Sequence, residues 1–284
     1  MKLAIAVIHG MGSEDEHFSV ELKHRITEEY VNIAKGRMEE DLVFQEIYWG
    51  DLVNEHRQSF IDRANYKKDL TYMKLRELFV DYIGATLAYR SSMYEVIQNR
   101  VKDNLKKLCG HRRVDPDKTP LVILAHSFGS IIMSDYIYDL QKKQASAENG
   151  NVEGLSHLEQ FHTLAGFITF GTPLALFSQQ EGSDFSHPIN VVGDRLPQTI
   201  KERVKWNNYY DKDDVIAYPI KGINDAYGEV VNDDYEINVG GATTSWNPAC
   251  HNGYWEDKDF YKPVAKYFAD LRLDDPFWNK TTYK

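Results

Sequence analysis

Leu121-Val122-Ile123-Leu124-Ala125-His126-Ser127-Phe128-Gly129-Ser130-Ile131-Ile132 is the stretch on which the fold turns. An apolar run, 121–124, follows Pro120 and reads as a buried strand. From 129 to about 144 the apolar residues Ile131, Ile132, Tyr136 and Leu140 recur on one helical face. Between the two stands Ala125-His126-Ser127-Phe128-Gly129, a G-x-S-x-G elbow with alanine in its first place. Such a turn needs small residues because strand and helix backbones nearly touch beside the serine. It also sets the Ser127 hydroxyl at a helix N-terminus, where the helix dipole favours developing negative charge.

Outward from this elbow, strands and helices alternate. An apolar run at 3–8 reads as a parallel strand buried on both faces. It is too short for a secretory leader and ends in His9-Gly10-Met11-Gly12 without a small-residue cleavage site, so a cytoplasmic location is expected. Ser13-Glu14-Asp15-Glu16 is a capping box, and Phe18, Leu22, Ile26, Tyr30 and Ile33 predict a helix over about 16–34. Residues 42–49 read as a second strand. From 50 to 110 the periodicity is helical throughout, far more than one crossover needs, so an insertion over about 50–112 is expected to supply a cap. Further strands are expected at 165–170, 205–210 and 235–239, with loops at 145–154 and 178–198. A closing helix over 258–273 carries Phe260, Val264, Tyr267, Phe268 and Leu271. The pattern predicts one α/β domain: a mostly parallel sheet of about six strands flanked by helices.

The chain has 284 residues, 42% hydrophobic and 27% charged, with a formal net charge of −10. That composition suits a globular protein with a sizeable core. Its acidity gives no field to draw it to nucleic acid. No apolar stretch approaches the roughly 18 residues of a membrane span. Two cysteines, Cys109 and Cys250, are too few for a disulfide framework or a cysteine metal site.

A nucleophilic serine needs a base, and the base an orienting acid, in the chain order serine, acid, histidine for an elbow of this kind. His157 and His162 come before the next strand, and His187 has no strand before it. His251 follows the last strand and precedes the last helix, where the base belongs. The acid should follow the penultimate strand, where Asp211, Asp213 and Asp214 stand in Tyr210-Asp211-Lys212-Asp213-Asp214-Val215-Ile216. The pattern favours Asp213. Asp214 is the alternative one register away, and Asp211 reads as a strand-end turn residue.

An oxyanion needs two backbone N–H donors. Phe128, after the nucleophile, supplies one. Met11, in the turn His9-Gly10-Met11-Gly12, supplies the other, with the flanking glycines letting the backbone come close. That turn lacks the third glycine of a dinucleotide loop, and the acidic residues 14–16 would repel a pyrophosphate. His17, His24, His56 and His111 have no partner at metal-ligand spacing. His126 is expected to support the elbow, and Cys250 sits in the base's own loop without an elbow of its own. Tyr72, Tyr82, Tyr89 and Tyr94 read as an amphipathic helix face or, alternatively, as the lining of an acyl pocket or part of a mobile lid.

With these residues in hand, the chain resembles the α/β-hydrolase superfamily and, within it, the lipase-like serine esterases. The carriers are His-Gly-Met-Gly at 9–12, Ala-His-Ser-Phe-Gly at 125–129, Phe-Gly-Thr-Pro-Leu at 170–174, Tyr-Asp-Lys-Asp-Asp-Val at 210–215 and Cys-His-Asn-Gly-Tyr-Trp at 250–255. The resemblance implies Ser127 as nucleophile, His251 as base, Asp213 as acid and an acyl-enzyme intermediate. It also implies that the family's first two strands are missing here, and that a cap is built from 50–110 and part of 174–203. Gly129 matches the elbow's last glycine, and Ala125 departs from its first. The expected substrate is a small-molecule ester, with no metal or organic cofactor. A thioesterase or phospholipase with the same triad, or a non-catalytic binding protein on this fold, is the alternative.

Overall fold

The computed structural model of the chain describes residues 2–11, 15–33, 38–53, 83–84, 86–87, 89–178, 187–241 and 248–272. Six strands form one all-parallel sheet: β1 (Leu3–Ile8), β2 (Leu42–Ile47), β3 (Leu121–His126), β4 (Leu164–Phe170), β5 (Trp206–Tyr210) and β6 (Asp233–Glu236). Their spatial order is β2-β1-β3-β4-β5-β6. β1 and β3 run side by side from Ala4 against Leu121 to Ile8 against Ala125. Every residue of β1, β3 and β4 is buried, as the continuous apolar runs require of strands covered on both faces.

Among the described residues, four helices of three turns or more flank the sheet: α1 (Val20–Ile33), α2 (Tyr94–Cys109), α3 (Phe128–Ser146) and α4 (Lys258–Arg272). They form two groups, with α1 packed on α4, and α2 packed on α3 and on β2. Helix α4 buries Phe260, Val264, Tyr267, Phe268 and Leu271, the face its periodicity predicts. At its last turn Arg272 reaches Asp41, and Arg272 Nη1 donates to Tyr30 Oη at 3.1 Å. Tyr30 in turn donates to Asp41 at 3.3 Å, so one carboxylate joins α1, α4 and the entry to β2.

Some boundaries differ from the periodicity, each for a local reason. β2 stops at Ile47, because the Trp49 N–H leaves the ladder for His9 Nε2 and its indole N–H for the His9 carbonyl. β3 runs on to His126, since Ala125 and His126 pair with Thr169 and Phe170. β6 is 233–236 rather than 235–239, and the Val239 N–H turns to Asp211 Oδ2 instead. Helix α1 starts at Val20 rather than at 16.

Of the expected insertion, 54–82, 85 and 88 lie outside the described residues, with Tyr72, Tyr82 and His56 among them. Ser13 of the expected capping box and residues 179–186 do so too. The far end of the insertion is α2, a helix of the layer beside the sheet. Tyr89 and Tyr94 anchor this end to α3, with hydroxyls on Asp135 (2.9 Å) and Asp139 (2.6 Å). Among the described residues no helix is long and apolar enough to cross a membrane.

Candidate active site

In a parallel sheet all carboxyl ends share one edge, and there the loops after β1, β3, β4 and β5 meet. β3 ends and α3 begins with Ser127 alone between them. Ser127 has φ 50° and ψ −129°, a region that side chains avoid. The turn is fastened on both sides. The Ser127 N–H donates to the Phe170 carbonyl at 2.9 Å, and its carbonyl accepts from Ser130 Oγ at 2.6 Å. Ser130 Oγ also meets Thr172 Oγ1 at 2.5 Å, which ties the elbow to the Gly171-Thr172-Pro173 bend after β4.

The strained turn delivers Ser127 Oγ to His251 Nε2 at 2.7 Å. On its far side His251 Nδ1 meets Asp214 Oδ2 at 2.7 Å. The three groups come from the ends of β3, β5 and the segment before α4, and all three are buried. The carboxylate accepts only, so Nδ1 carries the proton and Nε2 faces the hydroxyl as an acceptor. Asp214 Oδ2 also receives the Tyr254 hydroxyl at 3.1 Å, and its Oδ1 the Ile216 N–H at 3.1 Å.

The acid beside His251 is therefore Asp214, and the placing of Asp213 there is corrected. The turn decides it. Asp211 is buried and its carboxylate accepts the N–H groups of Asp213 (2.8 Å) and Val239 (2.7 Å). The Asp214 N–H closes back on the Asp211 carbonyl at 3.1 Å. This tight turn sends the Asp214 side chain inward and leaves Asp213 partly exposed. Asp211 is the turn's organiser.

The turn after β1 lies against the elbow. A methyl on Gly129 would fall 2.5 Å from the His9 carbonyl oxygen, so only glycine lets helix and strand end approach this closely. His9 is fully buried and stacks on Trp49 with ring centroids 5.2 Å apart and an interplanar angle of 5°. Its Nε2 accepts from the Trp49 N–H at 3.1 Å, so its Nδ1 holds the proton and donates to the Gly10 carbonyl at 2.5 Å. Burial, partly offset by that backbone bond, pushes the His9 imidazole down to about 3, and the ring is neutral. Because the Gly10–Met11 peptide is trans, fixing its carbonyl toward His9 turns the Met11 N–H the other way. Among the described residues neither the Met11 nor the Phe128 N–H meets a protein acceptor. Gly12 lies outside the described residues.

The His126 ring lies beside that of His251, with centroids 4.9 Å apart. Its Nε2 donates to the His251 carbonyl at 2.9 Å, and burial, reinforced by the neighbouring His251, holds the ring well below the usual histidine range. It supports the histidine's loop as well as the elbow. Cys250 is buried and Cys109 half-buried, both free thiols. Burial, with Asp214 nearby, pushes the Cys250 thiol up to about 12, so it is no nucleophile at neutral pH. His162 pairs with Asp194 at 2.6 Å elsewhere on the molecule. Among the described residues no three histidine, cysteine or acidic side chains are grouped to hold a metal ion.

Two contributors went unread in the sequence. In the sequence Trp49 reads only as the end of a strand, and its partnership with His9 has no local signal. Tyr254 does have one. It stands three residues beyond His251 in a 3₁₀ segment (Pro248–Trp255), where residues i and i+3 share a face. No family model matches the chain, and none of the curated proteins does.

Proposed function

We propose that the chain is a serine hydrolase of the α/β-hydrolase type that cleaves carboxylic esters through an acyl-enzyme. The observation that carries this reading is the unbroken chain Ser127 Oγ–His251 Nε2, His251 Nδ1–Asp214 Oδ2, each link 2.7 Å, with the serine in a strained elbow. Backbone strain of this kind is sustained where the surroundings over-determine it, and it gathers at reactive sites.

In the proposed reaction Ser127 Oγ attacks the ester carbonyl carbon as His251 Nε2 takes the hydroxyl proton. The Met11 and Phe128 N–H groups receive the oxyanion. The tetrahedral species collapses, the bond to the alcohol oxygen breaks, and His251 returns the proton to that oxygen. Water then enters, gives a proton to His251 and attacks the acyl carbon, and the acid leaves as Ser127 regains its proton. Asp214 stays ionised throughout, holding the imidazole tautomer and balancing its transient charge. The steps use only groups of this chain, water and the ester. Two free thiols suit a reducing, cytoplasmic setting.

The test is intact-mass detection of a fluorophosphonate adduct on the wild type and on Ser127→Ala. One adduct that vanishes in the variant is expected, followed by turnover of an ester series of graded acyl length. A folded wild type that takes no adduct would refute the reading.

A further inference from the structure

We propose that Tyr254 is a positioning residue of this site, its phenol clamping the Asp214 carboxylate against His251. The inference rests on the reading of Ser127, His251 and Asp214 as a hydrolytic triad and adds a fourth side chain to it.

The direction of each bond follows from chemistry. The Asp211 backbone N–H lies 2.9 Å from Tyr254 Oη and has only a proton to give, so the phenol oxygen accepts there. The phenol's own proton is then free for Asp214 Oδ2 at 3.1 Å, an oxygen that can only accept. A relay results that ends on Asp214: the Asp211 N–H donates to Tyr254 and Tyr254 to Asp214 Oδ2, while His251 Nδ1 donates to the same oxygen. In this buried setting the Asp211 N–H polarises the phenol and strengthens its bond to Asp214. Asp211 is itself pinned by two backbone N–H groups, so the relay starts from a fixed point.

Tyr254 has no freedom to leave. It is fully buried, with its ring centroid 5.9 Å from that of His126 and 6.1 Å from that of Phe170. Gly171, at φ 60°, makes the room, since a methyl there would fall 3.1 Å from Tyr254 Cε2 and 3.3 Å from His251 Cε1. Asp214 Oδ2 thus serves two donors, the imidazole and the phenol. Without the phenol, the full charge of that oxygen falls on the imidazole and favours its protonated form.

The acid limb of a rate profile can report this. The titratable groups around the imidazole are Ser127, Asp214, Tyr254, His126 and Cys250, with Asp211 and Asp213 in the adjoining turn. Burial and Asp214 hold the Tyr254 phenol far above its ordinary range. Cys250 is pushed up to about 12 and His126 is held well below the histidine range. Near neutrality these three groups therefore keep one protonation state and do not shape the limb.

The experiment measures fluorophosphonate labelling rates against pH for the wild type, Tyr254→Phe, Ser127→Ala and Tyr227→Phe, the last removing a buried phenol remote from the site. Tyr254→Phe is expected to label about tenfold slower at neutral pH, with its acid limb moved to higher pH, while Tyr227→Phe matches the wild type. Tyr254→Phe with the wild-type rate and profile would overturn the proposal. If that variant does not fold, a fluorotyrosine placed at 254 keeps the shape and strengthens the donor. Its acid limb should then move to lower pH, and an unmoved limb would overturn the proposal equally. A wild type that takes no adduct, or an adduct that survives Ser127→Ala, would sink the hydrolase reading itself rather than this addition to it.

Discussion

Gly10 and Ser127 touch so closely that a methyl on Gly10 would sit 2.4 Å from Ser127 Cβ and 2.8 Å from its Oγ. The turn after β1 and the turn after β3 are therefore one packed unit. Gly10→Ala should push the serine off its bond to His251 and overpack the joint. The expected cost is about 1–3 kcal/mol in urea unfolding. Fluorophosphonate labelling should slow at the same time, and a variant as stable and as reactive as the wild type would contradict this contact.

Asp213 and Asp214 are neighbours with opposite environments, so their variants should part widely. Asp214→Asn removes the charge that fixes the His251 tautomer, and kcat on a responsive ester should fall by about 10⁴. Asp213→Asn changes a partly exposed side chain outside the hydrogen-bonded chain and should stay within a few fold. Steady-state rates of the two variants decide it, and a larger loss at Asp213 would restore the sequence-based assignment.

Two neutral, buried histidines make folding sensitive to mild acid. His9 falls from 6.5 when unfolded to about 3 when folded, so the unfolded chain binds more protons between those values. Its contribution is complete above pH 6.5, declines as pH falls below that, and is exhausted near pH 3. At pH 5 His9 alone should account for about 2 kcal/mol of lost stability. His126, lowered in the same direction for the same reason, adds to the loss. Urea midpoints at pH 7.5 and 5.0 measure it, and equal midpoints would show that neither ring is buried neutral.

The sheet was legible because its inner strands are continuous apolar runs, and β1 matches the reading residue for residue. Ser127 and His251 were legible because a tight strand–helix turn and a loop before the last helix leave few places for them. The acid was not, since Asp211, Asp213 and Asp214 share one short turn. Only that turn's backbone bonds to Asp211 decide which carboxylate faces inward. Trp49 was hidden for a related reason. Its bonds to His9 join residues 40 apart, and no periodicity records a contact made by two loops.

The positive φ of Ser127 carries a consequence for how this chain tolerates change. Glycine would occupy that backbone conformation without the penalty a side chain suffers, about 1–3 kcal/mol for strain of this kind. Ser127→Gly should accordingly melt later than the parent while losing all labelling. Stability and reactivity pull in opposite directions at this one position. A screen for robust folding alone would discard the hydroxyl first, so any effort to harden this protein must hold residue 127 fixed and look elsewhere.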